Sequence, residues 1–158
     1  MEQPFFEAPE LDVAQWFNTE APPTLAGLRG KVVVLHAFQM LCPGCVRAGL
    51  PQAQKIAAIF PADQVAVIGL HTVFEHHAAM TPVALSAFIH EYRLTFPIAV
   101  DRPSEDGPIP RTMAAYGMRG TPSLVLIDRM GLVRRHAFGA EEDLKVGAEI
   151  ALLMAEAG

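Results

Sequence analysis

Cysteine is scarce in this chain, and the scarcity limits what its cysteines can do. Only two are present among 158 residues, and they lie three positions apart in Cys42-Pro43-Gly44-Cys45. A disulfide framework needs several pairs, and a structural zinc site takes four ligands, so neither follows from this content. A lone C-x-x-C pair leaves two main chemistries: a dithiol that opens and closes a small disulfide, or one side of a metal site.

Long apolar runs, basic stretches and a leader-like N-terminus are also missing. No stretch approaches the roughly 18–20 apolar residues of a membrane-spanning helix. The net charge is −5, and without a basic stripe to neutralise phosphates the sequence argues against nucleic acid as a partner. Residues 1–6 show no basic segment followed by an apolar core, so we expect a cytoplasmic protein, or a periplasmic one if a signal has been removed. In a reducing cytosol a lone C-x-x-C is more often catalytic than structural.

The neighbours of the cysteine pair favour redox chemistry. Val32-Val33-Val34-Leu35 is an unbroken apolar run, typical of a strand buried on both faces. After the pair, apolar residues recur at helical spacing to about residue 60. A strand, then C-x-x-C, then a helix is the layout of a dithiol redox site. Metal capture and plain packing are the alternatives.

The rest of the chain alternates between strand and helix patterns. Residues 11–17 are compatible with a short strand, and 101–110 form a proline-containing loop whose acidic residues we expect to be solvated. The length fits one domain, and the element order predicts an α/β protein with a central mixed sheet and helices on both faces. The cysteine pair falls at the carboxyl edge of that sheet, where open α/β sheets carry their sites. We predict strands over 32–38, 64–72, 96–100, 123–128 and 132–138, and helices over 43–60, 82–92, 111–116 and 141–157.

Four segments, taken together in order, carry a family resemblance. They are the run 28–35 leading to the cysteines, Arg119-Gly120-Thr121-Pro122, the strand–turn–strand 124–131, and Gly139 before the last helix. On these the chain resembles the thioredoxin superfamily, and within it the TlpA-like thiol–disulfide oxidoreductases that border on peroxiredoxin-like redoxins. The resemblance spans roughly residues 9–155. It implies a thioredoxin-like fold in one domain, 1–158, with an N-terminal extension of about residues 1–30 and an insertion between the first βα unit and the cis-proline segment.

The resemblance also implies roles for Thr121 and Pro122. Their peptide bond is expected to be cis and to face the cysteines, which leaves the Thr121 backbone to pair with an extended substrate segment by β-addition.

Four departures from the family pattern stand close to the cysteines. Leu41 replaces the usual Trp, and the dipeptide Pro43-Gly44 replaces the Gly-Pro of thioredoxin. Pro51 lies six residues after the second cysteine instead of five, and His36 stands where the family has a buried Asp or often an Asn. Because the dipeptide tunes the redox potential in this family, the direction of the reaction stays open.

The two sulfurs are expected to differ in role. Cys42 would cap a helix, where unpaired backbone N–H groups and the helix dipole favour a thiolate, so it should attack. Cys45 lies one turn further on, more buried, and should resolve the mixed disulfide. His36, on the strand beneath them, is either a proton relay to Cys45 or a core histidine bonded to its surroundings.

The expected function is thiol–disulfide exchange with protein substrates, using a thiol electron donor and no cofactor or bound metal. A thiol peroxidase is an alternative, although Gln39 and Leu35 occupy the positions where peroxiredoxins carry Thr or Ser and Pro. A copper or zinc carrier using Cys42, Cys45 and a histidine is a non-enzymatic alternative. The segment 71–77, with three histidines and Glu75, is a second place where metal is conceivable, though a solvated loop is the simpler interpretation. The oligomeric state stays open.

Overall fold

A seven-stranded mixed sheet forms the centre of the computed structural model, which describes residues 5–158. The first four residues of the expected N-terminal extension lie outside that range. The sheet order is β1-β7-β6-β3-β4-β5-β2, with β3, β4 and β5 parallel and the other neighbours antiparallel. The strands are β1 Phe6–Glu7, β2 Val13–Phe17, β3 Val32–Phe38, β4 Val65–His71, β5 Ile98–Asp101, β6 Ser123–Ile127 and β7 Leu132–Phe138.

Strand β3 is the middle strand of the sheet and is buried along its whole length. Its apolar residues alternate between two cores, one on each face of the sheet. This is why the sequence shows an unbroken apolar run there and why the predicted bounds, 32–38, are the observed ones. The strand ends four residues before Cys42, so the central strand points its carboxyl end at the cysteine pair.

Helices cover both faces of the sheet, as predicted. Helices α1, α2 and α4 contribute to the core that contains Cys45 and Leu124, whereas α3 packs with residues of the N-terminal segment on the opposite face. The helices are α1 Leu50–Ile59, α2 Pro82–Tyr92, α3 Arg111–Tyr116 and α4 Asp143–Ala155. Among residues 5–158, none of the helices has the length and apolar character needed to cross a membrane.

The N-terminal segment supplies both edge strands of the sheet. Strand β1 pairs antiparallel with β7 at one edge, and β2 pairs antiparallel with β5 at the other. The short strand considered for residues 11–17 is therefore present as β2. Strand β1 was not predicted, because two residues carry no periodicity and their pairing with β7 depends on tertiary contacts.

A π-helical turn, Cys45–Gly49, separates the first helical residues, 43–44, from α1. A π turn closes with i→i+5 bonds and so holds one residue more than an α turn. The extra residue accounts for the position of Pro51, six residues after Cys45 instead of five. The turn also places a glycine, Gly49, against the cis-proline segment described below.

Asp101 differs from the expectation of a solvated loop residue. It is 3% exposed, at the end of β5, and its carboxylate accepts hydrogen bonds from the backbone N–H groups of Thr112 and Met113 and from the Thr72 hydroxyl. It therefore caps the first turn of α3 from a distant strand. Such a contact leaves no local sequence signal, unlike the cap of α2, where Thr81 precedes Pro82 and accepts from the Ala84 N–H at 3.2 Å.

The packing around β4 generates a test with a matched pair of glycines. A Cβ on Gly69 would lie 2.9 Å from Phe96 Cε2 in the buried sheet, whereas a Cβ on Gly147, in α4, would meet nothing within 4 Å. We expect Gly69→Ala to lower the free energy of unfolding by roughly 1–3 kcal/mol through overpacking. Gly147→Ala should raise it by roughly 0.5–1 kcal/mol, since alanine is the better helix former. Urea unfolding of both variants measures this, and a Gly69→Ala protein as stable as the wild type would contradict the packing.

Candidate active site

Cys42 lies at the start of the helical segment, immediately beyond the carboxyl end of the sheet. Its Sγ accepts a hydrogen bond from the Cys45 backbone N–H at 3.2 Å and lies 3.4 Å from the Thr121 carbonyl oxygen, to which the thiol donates. The Cys42 carbonyl oxygen accepts from the N–H groups of Cys45 and Val46, which begins the helical turn. The side chain is half-buried, so the sulfur is a partly accessible thiol with backbone polar groups on two sides.

Cys45 lies one turn further along and is fully buried. Burial and the neighbouring Cys42 raise the pKa of the Cys45 thiol to about 12. Hydrogen bonds from the Gln39 backbone and the Thr121 side chain lower that pKa in part. Both cysteines are free thiols in this structure. Cys42 Sγ is thus partly exposed, and Cys45 Sγ is buried one turn further along. Attack by the first sulfur followed by resolution by the second requires this arrangement.

The Thr121–Pro122 peptide bond is cis and lies beside the cysteine turn. A Cβ on Gly44 would be 3.2 Å from Pro122 Cδ, and one on Gly49 would be 3.1 Å from Pro122 Cβ. Two glycines therefore line the face that the helical segment turns toward Pro122, and side chains there would push the two segments apart. The Pro122 carbonyl oxygen accepts from the Gly139 N–H at 2.8 Å, which ties the segment to the end of β7.

His36 lies on β3 beneath this turn and is 3% exposed. Burial lowers its pKa to about 4, against a smaller opposing effect of a hydrogen bond to Gln52. The Nε2 atom of His36 lies 3.1 Å from Gln52 Oε1. The ring borders a cavity of about 10 Å³ together with Gly49 and Pro122. That volume is about the room one water molecule takes.

Gln52 was not singled out by the sequence, yet it connects His36 to the surface. Its side-chain amide donates to the Glu141 carbonyl oxygen at 2.9 Å and to Asp143 Oδ1 at 3.0 Å. The other Asp143 oxygen pairs with Lys55 Nζ at 2.7 Å. The available sequence signal is position: Gln52 lies beside Ala53 and four residues before Ile56 on the buried face of α1, where a glutamine needs partners for its polar atoms.

The histidines of segment 71–77 do not form one cluster. His71 is buried in β4, where its Nε2 accepts from the Met40 N–H at 3.3 Å, whereas His77 Nε2 lies 3.1 Å from the Pro108 carbonyl oxygen. Burial lowers the pKa of His71 to about 4. Across residues 5–158, no three His, Cys, Asp or Glu side chains are grouped as a metal ion would need. The His71 side chain therefore contacts the backbone of the loop that leads into Cys42.

Gln39 belongs to the same loop and makes a second contact that holds it. It is buried, and its Oε1 accepts from the Phe74 N–H at 3.1 Å. The His71 side chain reaches the backbone of the loop after β3, and the Gln39 side chain of that loop reaches the backbone of the loop after β4. The loop before Cys42 is therefore fixed by side chains from two segments.

Solved structures with the same fold include two of high sequence identity. A thioredoxin-like superfamily protein superposes with a TM-score of 0.94 at 63% identity, covering 96% of this chain and 98% of that one. A thiol-disulfide isomerase from Corynebacterium glutamicum gives a TM-score of 0.90 at 51% identity, covering 95% and 98%. The thioredoxin-like fold expected from the sequence motifs is confirmed.

Curated relatives are similar over only part of their own length. Protein DipZ of Mycobacterium bovis is 32% identical over 135 residues, which are 84% of this chain but 18% of that protein. The thiol-disulfide oxidoreductase ResA of Halalkalibacterium halodurans is 28% identical over 121 residues, 76% of this chain and 61% of that protein. The chain thus spans about a fifth of DipZ and three fifths of ResA. The family model described as AhpC/TSA family matches residues 4–136, most of the chain, and the protein therefore belongs to the AhpC/TSA family.

Proposed function

We propose that this protein exchanges disulfides with protein substrates through the Cys42–Cys45 pair. One observation carries the proposal: a partly exposed sulfur at the start of a helical segment lies one turn above a buried sulfur, with the Thr121 carbonyl oxygen 3.4 Å from the exposed one. The names of ResA and of the Corynebacterium isomerase support the same reaction class.

The exchange has two sulfur transfers in the reducing direction. The Cys42 thiolate attacks one sulfur of the substrate disulfide, which forms a mixed disulfide and releases the other substrate sulfur as a thiol. Cys45 then loses its proton and attacks Cys42 Sγ, which closes the Cys42–Cys45 disulfide and releases the second substrate thiol. Two electrons pass from the cysteine pair to the substrate. In the oxidising direction the same steps run in reverse.

Thr121 and Pro122 are proposed to bind the substrate. The Thr121 carbonyl oxygen is already within 3.4 Å of Cys42 Sγ, so an extended segment lying along this backbone would bring its own sulfur to Cys42. Main-chain pairing of this kind accepts many sequences, which suits a reductase or isomerase with more than one substrate.

His36 is proposed as the group that receives the Cys45 proton. Burial raises the pKa of Cys45 and lowers the pKa of His36, so transfer of the proton to the resting ring is uphill and the proton does not stay there. His36 is therefore a relay and not a proton store, and the proton leaves when Cys45 attacks.

The proposed partners are a protein disulfide and a thiol donor that returns the pair to the reduced state. We propose a cytoplasmic location, where a thiol donor is abundant, with the periplasm as the alternative. The direction of net electron flow depends on the reduction potential of the Cys42–Cys45 pair relative to that donor.

Peroxide reduction is the second candidate, because the chain matches the AhpC/TSA family model and its sequence resembles proteins that border on peroxiredoxin-like redoxins. The residues near Cys42 argue against it. Gln39 is engaged by the Phe74 backbone, and Leu35 is buried in the sheet, so neither the hydroxyl nor the proline of the peroxiredoxin pattern is present. Consumption of hydrogen peroxide faster than reduction of a disulfide by the same protein would favour the peroxidase.

Serine substitution distinguishes the roles of the two cysteines. Cys45→Ser should accumulate a mixed disulfide between Cys42 and the substrate, because no second sulfur displaces it. Cys42→Ser should accumulate little, because the remaining sulfur is buried. Iodoacetamide should also modify Cys42 of the reduced wild type before Cys45. Non-reducing electrophoresis and peptide mass spectrometry measure both, and equal trapping or equal alkylation would show that the assigned roles are wrong.

His36→Asn tests the relay. The variant should lower turnover by roughly 10²-fold, the size expected for loss of one proton-transfer group, and should change its pH profile. Activity is expressed per folded molecule, with folding followed by circular dichroism. A variant that is less stable but fully active per folded molecule would show that His36 only fills the core.

Buried His36 also predicts an acid-sensitive fold. The unfolded chain binds a proton below pH 6.5 that the folded chain excludes until pH is about 4. Stability is therefore highest above pH 6.5 and falls as pH drops through this window, by roughly 3 kcal/mol for this histidine. Urea unfolding at pH 7.5 and 4.5 should show the loss, and His36→Asn should make it smaller by about that amount. An unchanged pH dependence in the variant would mean that folding does not lower the pKa of His36.

A further inference from the structure

We propose that Gln52 is a positioning residue that fixes the tautomer of His36, so that Nδ1 is the ring nitrogen able to accept a proton. The inference deepens the proposed thiol–disulfide exchange and rests on it for its functional consequence. The tautomer itself follows from hydrogen-bond geometry and can be measured without any substrate.

The orientation of the Gln52 amide is set by its two acceptors. A peptide carbonyl oxygen and a carboxylate accept hydrogen bonds but do not donate them. The Glu141 carbonyl at 2.9 Å and Asp143 Oδ1 at 3.0 Å therefore both require the amide nitrogen of Gln52 on their side. The flipped amide would place its oxygen against two other oxygens, so Gln52 Oε1 must face His36.

The orientation of the amide then decides the state of the histidine ring. Gln52 Oε1 also only accepts, and it lies 3.1 Å from His36 Nε2. The hydrogen of this bond must come from Nε2, which makes Nε2–H the donor. In a neutral ring the other nitrogen, Nδ1, then carries the free lone pair.

The free nitrogen lies on the side of the ring next to Gly49. A Cβ on Gly49 would lie 3.8 Å from His36 Nδ1, and Gly49 belongs to the π-helical turn that begins at Cys45. A cavity of about 10 Å³ lined by His36, Gly49 and Pro122 has room for about one water beside the ring. Nδ1 is therefore the nitrogen that would take up the proton lost by the Cys45 thiol, while Nε2 keeps its hydrogen on Gln52.

Two charged side chains stabilise the arrangement from the surface. Asp143 Oδ1 accepts a hydrogen bond from the Gln52 amide, and Asp143 Oδ2 lies 2.7 Å from Lys55 Nζ. The lysine and the glutamine both lower the pKa of Asp143, which keeps it an acceptor. Rotation of the Gln52 amide would break its hydrogen bond to the Asp143 carboxylate. The Lys55–Asp143 pair therefore favours the amide orientation that fixes the tautomer.

The first test is the ring state of His36 in the wild-type protein. Long-range ¹H–¹⁵N correlation spectra of the reduced protein distinguish a nitrogen that carries hydrogen from one that does not, and His36→Asn assigns the signal. We expect one tautomer with the proton on Nε2. A proton on Nδ1, or an even mixture, would overturn the proposal whatever the variants do.

The second test uses two glutamines of the same helix. Gln52→Met should give a mixture of tautomers and lower turnover by roughly tenfold, less than loss of the histidine itself. Gln54→Met is the matched control, because Gln54 is a partly exposed residue whose amide donates to the Tyr92 carbonyl oxygen at 3.4 Å and not to His36 or its partners, and it should change neither. Retention of the Nε2–H tautomer in Gln52→Met would contradict the proposed role.

A double variant separates this proposal from the proposed function. If Gln52 acts through His36, Gln52→Met should slow the His36→Asn protein no further, whereas a general packing role would add to the loss. If the wild-type spectrum shows the Nε2–H tautomer but His36→Asn keeps full turnover, the relay is wrong and the positioning by Gln52 stands. If exchange depends on His36 but the tautomer differs, the relay stands and Gln52 is not what orients it.

Discussion

The antiparallel pairing of β3 with β6 is the interaction on which the site depends. Ala37, near the end of β3, pairs with Ser123, the first residue of β6. The chain leaves β3 toward Cys42 and arrives at β6 from Pro122, so this one register brings two segments about 80 residues apart to the same edge of the sheet. A shift of one residue would turn His36 to the other face and move Thr121 away from Cys42.

Burial divides the chemistry between the two sulfurs. The helical segment starts at the sheet edge, which leaves the first cysteine at the surface and carries the second into the core after one turn. Burial that makes Cys45 a poor nucleophile in the resting state also protects it from unwanted oxidants. The same low-dielectric environment keeps His36 neutral, so one of its two ring nitrogens is unprotonated at neutral pH.

Local patterns in the sequence predicted the elements that are stabilised by local properties. Strands β3 and β7 and helix α3 have the predicted bounds, because apolar runs, turn residues and the glycine after α3 mark them directly. The spacing of Pro51 carried a signal of the π-helical turn, since one extra residue had to be placed between it and Cys45. The position of the Thr121–Pro122 segment next to the cysteines came from the family resemblance and not from the pattern itself.

Contacts between distant segments could not be read from the sequence. Asp101 lies among prolines and acidic residues that suggest a solvated loop, and its burial depends on α3 docking onto it. Gln52 looks like an ordinary helix residue in the sequence. Only the folded positions of His36 and Asp143 show that its amide oxygen and its amide nitrogen each have a hydrogen-bond partner. Side chains that act by orienting others leave the weakest sequence signal, because their partners are brought to them by the fold.

Mass spectrometry shows whether a disulfide passes from a substrate to the Cys42–Cys45 pair. The reduced protein is mixed anaerobically with a disulfide-bonded peptide, and the intact masses of both are followed. We expect the peptide to gain two hydrogens as the protein loses two, in equal amounts, and peptide mapping to place the new disulfide between Cys42 and Cys45. Exchange would be contradicted if the peptide stays oxidised beside a fully reduced protein, while dithiothreitol reduces it in a parallel sample, and if the reduced peptide also stays reduced beside the oxidised protein.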